Sequence, residues 1–331
     1  MFRNELASAC NVAPNTISNW EGGRTSPPEA AIGVISRTLR FPPDFFFKDG
    51  VVSIPAEAAT FRARTRLGAR DRNSALAAGS MAAELSSWLA DRFDLPRVQI
   101  PDLSRHAPET AADLLRVEWA LGNGPLPNLV HLLESRGALV FSLSQDCHDL
   151  DAFTFWSESR PIVLLNMLKS AERGRMDVAH ELAHLVLHRE GTGKAEEDEA
   201  DRFAGAFLMQ RDDVLRHLQR PAHLPALMTL KGRWGVAVSA LAYRLHELKL
   251  LSDWNYRSLF IEISKRGFRT SEPNTIARET SSLLPQVFRS LTAQGLTMAG
   301  LARELRWGHD QLAELIFGMG GTLVALDGGQ R

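Results

Sequence analysis

The chain has 331 residues, of which 44% are hydrophobic and 23% are charged, and its formal net charge is -1. A chain of this length can bury a large core and should divide into two or three domains. The small net charge excludes an overall attraction to nucleic acid, and no apolar run reaches the roughly 18 residues of a membrane span. Because the N-terminus has no secretory pattern and Cys10 and Cys147 lie far apart, we expect a cytoplasmic protein without disulfides.

The first predicted element is a helix-turn-helix. Residues 5–24 predict a short helix, a tight turn near Asn11 and a second helix with Pro14 in its first turn and Gly22 at its end. The outward polar positions, which could reach base edges or phosphates, are Asn15, Thr16, Ser18, Asn19 and Arg24. The stretch is similar to Xre/Cro-type repressors in its glutamate-glycine pair at the end of the second helix and in the later patterns at residues 39–42 and 45–46.

The resemblance to Xre/Cro-type repressors implies a helix-turn-helix domain over residues 1–50 and makes operator DNA a candidate partner. In that family another helix precedes the first position that can be matched here, so we expect a domain that lacks its first helix. Residues 1–50 contain five Lys or Arg and five Asp or Glu, so their attraction to phosphate is weak. The fold is therefore expected independently of DNA binding.

Residues 51–105 are expected to form a helical linker. Between residues 62 and 72 the sequence has one acidic residue, Asp71, against five arginines, which are Arg62, Arg64, Arg66, Arg70 and Arg72. Such a run neutralises phosphates or packs on acidic neighbours, and the sequence leaves both uses open. An amphipathic helix follows from Ala75 to Phe93, and two prolines place a domain boundary near residues 95–108.

Residues 106–255 are expected to form the main domain, beginning with helices from Glu109 to Trp119 and from Leu129 to Arg136. Three strands follow, at residues 137–143, 152–157 and 161–165. This order predicts a predominantly helical α+β fold, in which helices pack on a small sheet. The last of these strands leads into the helix that carries the most informative motif.

In that helix, His180, Glu181 and His184 form an H-E-x-x-H pattern. Two imidazoles four residues apart lie on the same face of a helix and can bind one metal ion. In this pattern the histidines ligate Zn²⁺ and the glutamate accepts a proton from the attacking water. The apolar residues around the motif predict a buried helix that can hold the metal rigidly.

A catalytic zinc site takes three protein ligands, so a third ligand is expected on a second helix. That helix covers residues 196–209, whose apolar residues recur at helical spacing and form a buried stripe. Glu199 lies beside the stripe and is the predicted third ligand, with Glu196 as the alternative, because a carboxylate there is costly unless it is paired. Glu197 and Asp198 are interpreted as a solvated helix start that the helix dipole favours.

The sequence from Arg175 to His188, and again from Glu199 to Met209, resembles the ImmA/IrrE metallopeptidases. The resemblance implies a gluzincin-like zinc enzyme that cleaves a helix-turn-helix repressor in a stress, phage or toxin-antitoxin response. Carried over by position, the resemblance assigns Glu181 as the general base. It assigns His180, His184 and Glu199 as the zinc ligands. Residues 106–255 thus become a zinc peptidase domain flanked by helix-turn-helix units.

One position departs from the family pattern, because Gln210 stands where proline usually follows the methionine. That position ends a helix, so we expect no effect on the chemistry. His188, one helical turn beyond His184, is interpreted as a residue that supports a ligand or faces the substrate. Tyr243 or a histidine such as His217 could stabilise the oxyanion of the transition state, and the sequence does not decide between them.

The last part of the chain is expected to be helical. Residues 227–250 predict two helices around a glycine turn. The preferred interpretation is that they support the peptidase domain, and the second is that they form another DNA-binding unit. Residues 256–331 are expected to form a C-terminal helical domain. The apolar positions 301, 302, 305, 307 and 312 repeat the spacing of positions 6, 7, 10, 12 and 17 at an offset of 295 (301 − 6), although unrelated helical hairpins also show such spacing.

Two functions remain open from the sequence. The first is a zinc endopeptidase that acts on a protein substrate and is brought to its substrate or operator by the N-terminal domain. The second is a DNA-binding transcriptional regulator in which zinc is a structural or sensing ion and no peptide bond is cut. Closed structural zinc sites usually use cysteine, and neither Cys10 nor Cys147 lies near the motif, which favours the peptidase.

Overall fold

The computed structural model describes residues 3–48, 54, 60–63, 68–143, 147, 150–188, 193–219 and 221–317. The described part is mostly helical with one small sheet, which confirms the predicted α+β class. Two members of the arginine-rich run, Arg64 and Arg66, lie outside the described residues. Among the described helices, none has both the length and the apolar character that crossing a membrane requires.

The described strands lie between residues 60 and 165, and helices precede, separate and follow them. The strands are β1 (Thr60–Ala63), β2 (Leu139–Ser142), β3 (Leu150–Ser157) and β4 (Arg160–Leu165). The helices before β2 are α1 (Arg3–Ala9), α2 (Pro14–Glu21), α3 (Glu29–Leu39), a 3₁₀ turn (Pro43–Phe47), α4 (Ala69–Ala90), α5 (Pro108–Glu118) and α6 (Leu129–Ser135). The helices after β4 are α7 (Ala171–Leu187), α8 (Lys194–Leu208), α9 (Arg211–His217), α10 (Leu224–Trp234), α11 (Val238–Glu247), α12 (Asp253–Lys265), α13 (Leu283–Ala293), α14 (Met298–Glu304) and α15 (His309–Phe317).

The chain folds as two units. The terminal unit comprises Met1–Val52 and Val287–Glu314, and the central unit comprises Ser53–Gln286 and Leu315–Arg331. The terminal unit is thus built from both ends of the chain. Residues 256–331, which were expected as one C-terminal domain, are divided between the two units.

The terminal unit contains a structural repeat of a helix, a tight turn and a second helix. In the first copy α1 and α2 are joined through Asn11 at φ 53°, and in the second copy α14 and α15 are joined through Arg306 at φ 55°. The corresponding backbone hydrogen bonds run from Val12 N–H to Ala7 O at 3.0 Å and from Trp307 N–H to Ala302 O at 2.8 Å. Both pairs are related by the same offset of 295 (302 − 7), so the repeat in the spacing is also a repeat in backbone structure.

The sheet of the central unit has the strand order β1-β3-β4-β2. β2 pairs in parallel with β4, whereas β3 pairs antiparallel with both β4 and β1. Most of the residues in β2, β3 and β4 are buried on both faces, which explains why these strands read as nearly continuous apolar runs. β1 was not predicted: it lies in the segment expected as a helical linker, and an edge strand pairs through backbone atoms without needing an alternating pattern.

Helix α7 is buried along its whole second half, from Asp177 to Leu187. The Ser170 side chain caps its start by accepting a hydrogen bond from the Arg173 backbone N–H at 3.4 Å. The helix packs on β3, β4 and α8, so both of its long sides are covered. Side chains that project from this helix are therefore held in fixed positions.

Two buried cations connect α7 to later parts of the central unit. Arg175 donates hydrogen bonds to the backbone carbonyl of Trp234 at 3.0 Å and forms an ion pair with Glu279. The Lys231 ammonium, which is 1% exposed, lies 3.4 Å from Glu172 and also contacts a second carboxylate, that of Glu272. Because a buried charge is costly without partners, these pairs fix α7 relative to α10 and to the segment before α13.

Gln210, the departure from the family pattern, caps helix α9. Its side-chain oxygen accepts hydrogen bonds from the backbone N–H groups of Asp212 at 2.7 Å and Asp213 at 3.2 Å. An amide oxygen at this position satisfies N–H groups at the start of a helix. The departure from the family pattern at Gln210 therefore concerns how helix α9 begins.

Candidate metal centre

The candidate site is formed where α7 packs against α8. On α7, His180 and His184 are each 1% exposed, and their Nε2 atoms lie 3.0 Å apart. Glu181, which follows the first of these histidines, is fully buried. The structure thus brings together the two imidazoles of the H-E-x-x-H motif and keeps its glutamate away from bulk solvent.

Helix α8 adds a carboxylate to this pair. One oxygen of Glu197 lies 3.3 Å from His180 Nε2, and the other lies 3.4 Å from His184 Nε2. A tetrahedral zinc ion with bonds of about 2.0–2.2 Å holds its donor atoms about 3.3 Å apart. Within the part of the chain that the structure describes, these three residues are the one set of His, Cys, Asp and Glu side chains placed to hold a metal ion.

The structure places Glu197, and not Glu199, which the sequence predicts as the third donor, next to the two imidazoles. Glu199 is 43% exposed and its Oε2 lies 3.0 Å from Nε2 of a different histidine, His188. The alternative, Glu196, accepts a hydrogen bond from the backbone N–H of Gly193 at 2.9 Å and so caps α8. Two residues along an α-helix turn a side chain by about 200°, so Glu197 and Glu199 lie on different sides of α8.

Each metal-facing imidazole has a hydrogen-bond partner on its other nitrogen. His180 Nδ1 lies 2.9 Å from Oδ1 of Asp201, which is one helical turn after Glu197 on α8. His184 Nδ1 lies 3.0 Å from Nδ1 of His188, the C-cap residue of α7. A partner on Nδ1 fixes the ring orientation and aims Nε2 at the metal position.

Burial and hydrogen bonding set the charges of the donors. Burial lowers the pKa of His184 to about 4, so its imidazole is neutral at physiological pH. Burial raises the pKa of the Glu197 carboxyl, but hydrogen bonds with His180 and His184 lower it by a larger amount. The resulting pKa is well below the ordinary value. Neutral imidazoles and an ionised carboxylate are the protonation states that bind a divalent cation.

The hydrogen-bond partners also show that the donor set fits a cation. When Asp201 accepts the Nδ1–H of His180, the Nε2 atom of that ring carries a lone pair. The same holds for His184 when its Nδ1–H is donated to His188. In the metal-free protein the Nε2 atoms can donate to the Glu197 carboxylate, and with the protons on Nδ1 they instead offer two lone pairs beside that carboxylate, which is a donor set that suits a divalent cation.

We expect the metal-free protein to lose stability as the pH falls from about 6.5 to about 4. Because burial lowers the pKa of His184 from 6.5 to about 4, only the unfolded state takes up this proton in that window. The stabilisation is complete above pH 6.5 and falls by about 3 kcal/mol on the way to pH 4. Urea unfolding at several pH values measures it, and a His184→Gln variant with an equally steep pH dependence would contradict the assignment.

His180 and Glu197 line a cavity of about 690 Å³. The cavity wall combines carboxylates of α8, basic groups and apolar surface, and the residues that represent these classes are Glu197, Asp198, Asp201, Lys169, Arg173, Arg269, Met176, Met209 and Phe260. A volume of this size is within the range of about 300–1,000 Å³ that is typical of ligand pockets. Such a wall can contact both the backbone and the side chains of a polypeptide.

Of the two residues considered for oxyanion stabilisation, Tyr243 lines this cavity, together with His180 and Glu197. Burial, together with Glu247 and nearby carboxylates of α8, raises the pKa of the Tyr243 phenol, which keeps its O–H available as a donor. His217 instead contacts Asp213, whose backbone oxygen lies 2.8 Å from His217 Nδ1. The structure therefore places the tyrosine, and not His217, in the wall of the cavity that His180 and Glu197 also line.

The residues predicted to contact DNA lie on or just after α2. Asn15 and Arg24 are exposed, and Thr16, Ser18 and Asn19 are partly exposed. Between them, Ile17 is 1% exposed and anchors the helix in the terminal unit. These residues belong to the terminal unit, whereas the candidate metal donors belong to the central unit.

Comparison with known families locates one match. Residues 133–246 match the family model of the IrrE N-terminal-like domain, peptidase family M78. The match supports an ImmA/IrrE metallopeptidase. It covers about a third of the chain, lies wholly in the central unit, and contains the three candidate metal donors and Tyr243. No curated protein matches the chain.

Sequence reasoning missed Glu197 and Asp201 as members of the site. A signal was available, because these two acidic residues are four apart and so repeat on α8 the spacing of His180 and His184 on α7. Two packed helices that each present positions i and i+4 bring these four side chains together. The apolar stripe of α8 instead favoured Glu199, which borders that buried stripe.

Proposed function

We propose that the central unit is a zinc-dependent endopeptidase of the ImmA/IrrE type. The observation that carries the proposal is the convergence of His180 Nε2, His184 Nε2 and the Glu197 carboxylate, whose separations of 3.0, 3.3 and 3.4 Å suit one tetrahedral ion. Three protein donors leave a fourth position open, as catalysis requires. The family match over residues 133–246 supports the same activity.

The residues of the site divide the chemistry among them. When bound, zinc supplies Lewis-acid polarisation of the scissile carbonyl group and of the attacking water. Glu181 accepts the proton of that water and later delivers it to the leaving amine. Tyr243, protonated and at the same cavity, donates a hydrogen bond to the carbonyl oxygen as negative charge develops there. Asp201 and His188 keep the two imidazoles oriented.

The substrate that we propose is a helix-turn-helix repressor of a stress, phage or toxin-antitoxin response, as the family resemblance implies. The cavity supports a polypeptide substrate, because its wall offers acidic, basic and apolar groups within one volume of about 690 Å³. A small polar metabolite would use only part of this surface. Cleavage of the repressor would remove it from its operator.

We infer that the terminal unit brings the enzyme to operator DNA through α2. The helix-turn-helix geometry of the repeat supports this role, and α2 presents the exposed Asn15. The second copy differs at the corresponding positions, where Asp310 and Glu314 stand at the offset of 295 from Asn15 and Asn19 (310 − 15 and 314 − 19). Carboxylates there repel phosphates, so the inference concerns the first copy alone.

The peptidase is tested by incubating the full chain with repressors purified from its neighbouring loci. We expect cleavage at one or a few bonds in the presence of zinc, no cleavage after removal of the metal by a chelator, and recovery when zinc is added back. Electrophoresis and mass spectrometry of the products locate the bond. A chain that binds one zinc ion and still leaves all of these proteins, and unfolded protein substrates, intact would favour a regulator with a sensing zinc site.

A further inference from the structure

The two metal-facing imidazoles are supported in different ways. His180 contacts a carboxylate directly, through Asp201. His184 contacts His188 at 3.0 Å between Nδ1 atoms, and His188 in turn places its Nε2 3.0 Å from Oε2 of Glu199. The second histidine is therefore connected to a carboxylate through an additional imidazole.

The protons along this chain can be placed in one consistent way. A neutral imidazole carries one proton, so one ring nitrogen donates and the other accepts. If His184 directs its Nε2 lone pair at the metal, its Nδ1–H donates to His188 Nδ1. His188 then carries its own proton on Nε2 and donates it to the Glu199 carboxylate. Every donor meets an acceptor, and Glu199 determines which nitrogen of His188 is protonated.

We propose that Glu199 and His188 form a positioning arm that holds the ring of His184 with its Nε2 lone pair on the metal position. This inference rests on the proposed zinc site. The role differs from the one that the sequence suggested for Glu199, since its carboxylate acts on the metal through two imidazoles. Without it, His188 can carry its proton on Nδ1, and two N–H groups would then face each other at 3.0 Å.

The position of the arm suits this role. His188 is the C-cap of α7 and only 7% of its side chain is exposed, whereas 43% of the Glu199 side chain is exposed on α8. The carboxylate therefore stays hydrated while its acceptor oxygen reaches the buried ring. Glu199 is the exposed residue at the end of the arm, so it can be substituted without leaving a cavity in the core.

The test measures the dissociation constant for zinc by competition with a chromophoric chelator, using the full chain and single and double variants. Removal of a residue that supports a metal ligand typically weakens metal binding about 10–100-fold. We expect a loss in this range for His188→Ala and for Glu199→Ala. The double variant should bind zinc no more weakly than His188→Ala, because Glu199 acts only through His188.

A conservative variant separates positioning from simple packing. In His188→Asn the amide oxygen takes the place of Nδ1 and can accept the His184 Nδ1–H, so zinc affinity should recover relative to His188→Ala. Adding Glu199→Ala to His188→Asn should then change nothing. Glu118→Ala, which removes an exposed carboxylate of α5, is the matched control and should bind zinc like the unmodified chain.

The outcomes distinguish the arm from the site on which it depends. If the unmodified chain fails to bind zinc, the proposed peptidase site fails and the arm fails with it. If that chain binds zinc and Glu199→Ala binds it equally well, the arm alone is wrong. Additive losses in the double variant, or a His188→Asn variant as weak as His188→Ala, would also overturn the arm. Unfolding of the zinc-free variants in urea shows whether any loss reflects the fold.

Discussion

Replacing Glu181 by glutamine is expected to abolish peptide-bond cleavage while zinc binding is retained. The side chain is fully buried on α7, next to one metal-facing histidine, and glutamine has nearly the same shape. An amide cannot accept the proton of the attacking water, and loss of a general base typically lowers the rate about 10²–10⁴-fold. The turnover of a repressor or peptide substrate at saturating zinc measures the effect.

The zinc content of Glu181→Gln serves as its internal control, because the residue is not one of the three donors. A variant that loses both zinc and activity would mean that Glu181 maintains the site instead of moving a proton. A variant that keeps its full rate would remove Glu181 from the mechanism. Glu118→Ala, on the exposed face of α5, should have the rate of the unmodified chain.

Replacing Glu197 by alanine is expected to weaken zinc binding by more than 100-fold, a larger loss than the roughly 10–100-fold that follows from removing a supporting residue. The variant loses the carboxylate whose oxygens lie 3.3 and 3.4 Å from the two imidazoles, and with it the negative charge among the three donors. Competition with a chromophoric chelator gives the dissociation constant, and activity should fall in parallel at low zinc.

This experiment also decides between the two glutamates of α8. If Glu199→Ala loses more zinc affinity than Glu197→Ala, the third donor is Glu199, as the sequence alone suggested. In that case α8 packs against α7 in a different rotation about its own axis. If the order is the reverse, the donor is Glu197. Urea unfolding of the metal-free forms of both variants shows whether either loss of zinc affinity reflects a change in the fold.

The sequence predicts those parts of the site that depend on local geometry. His180 and His184 share a face because four residues make about one helical turn, and this requires no knowledge of the rest of the fold. The choice between Glu197 and Glu199 depends on how α8 is rotated against α7. That rotation is set by packing between two helices, and a single sequence does not contain it.

The strands of the sheet also differ in how well the sequence predicts them. β2, β3 and β4 are predictable because their residues are apolar and buried on both faces. β1 is not, because it has only four residues, Thr60–Ala63, and they overlap the start of an arginine-rich run instead of forming a continuous apolar stretch. Similarly, the spacing of the C-terminal apolar residues indicates a repeat, but a spacing argument cannot place Val287–Glu314 in the same unit as Met1–Val52.

The discontinuous composition of the terminal unit has a consequence for biosynthesis. Its N-terminal portion leaves the ribosome first, yet the portion that completes it begins only at Val287. At a translation rate of about 5–20 residues per second, the early helices wait roughly 10–50 s for their packing partners. During that interval the residues Ser53–Gln286 of the central unit can fold, so the candidate metal donors should be assembled before the N-terminal helices have a complete core.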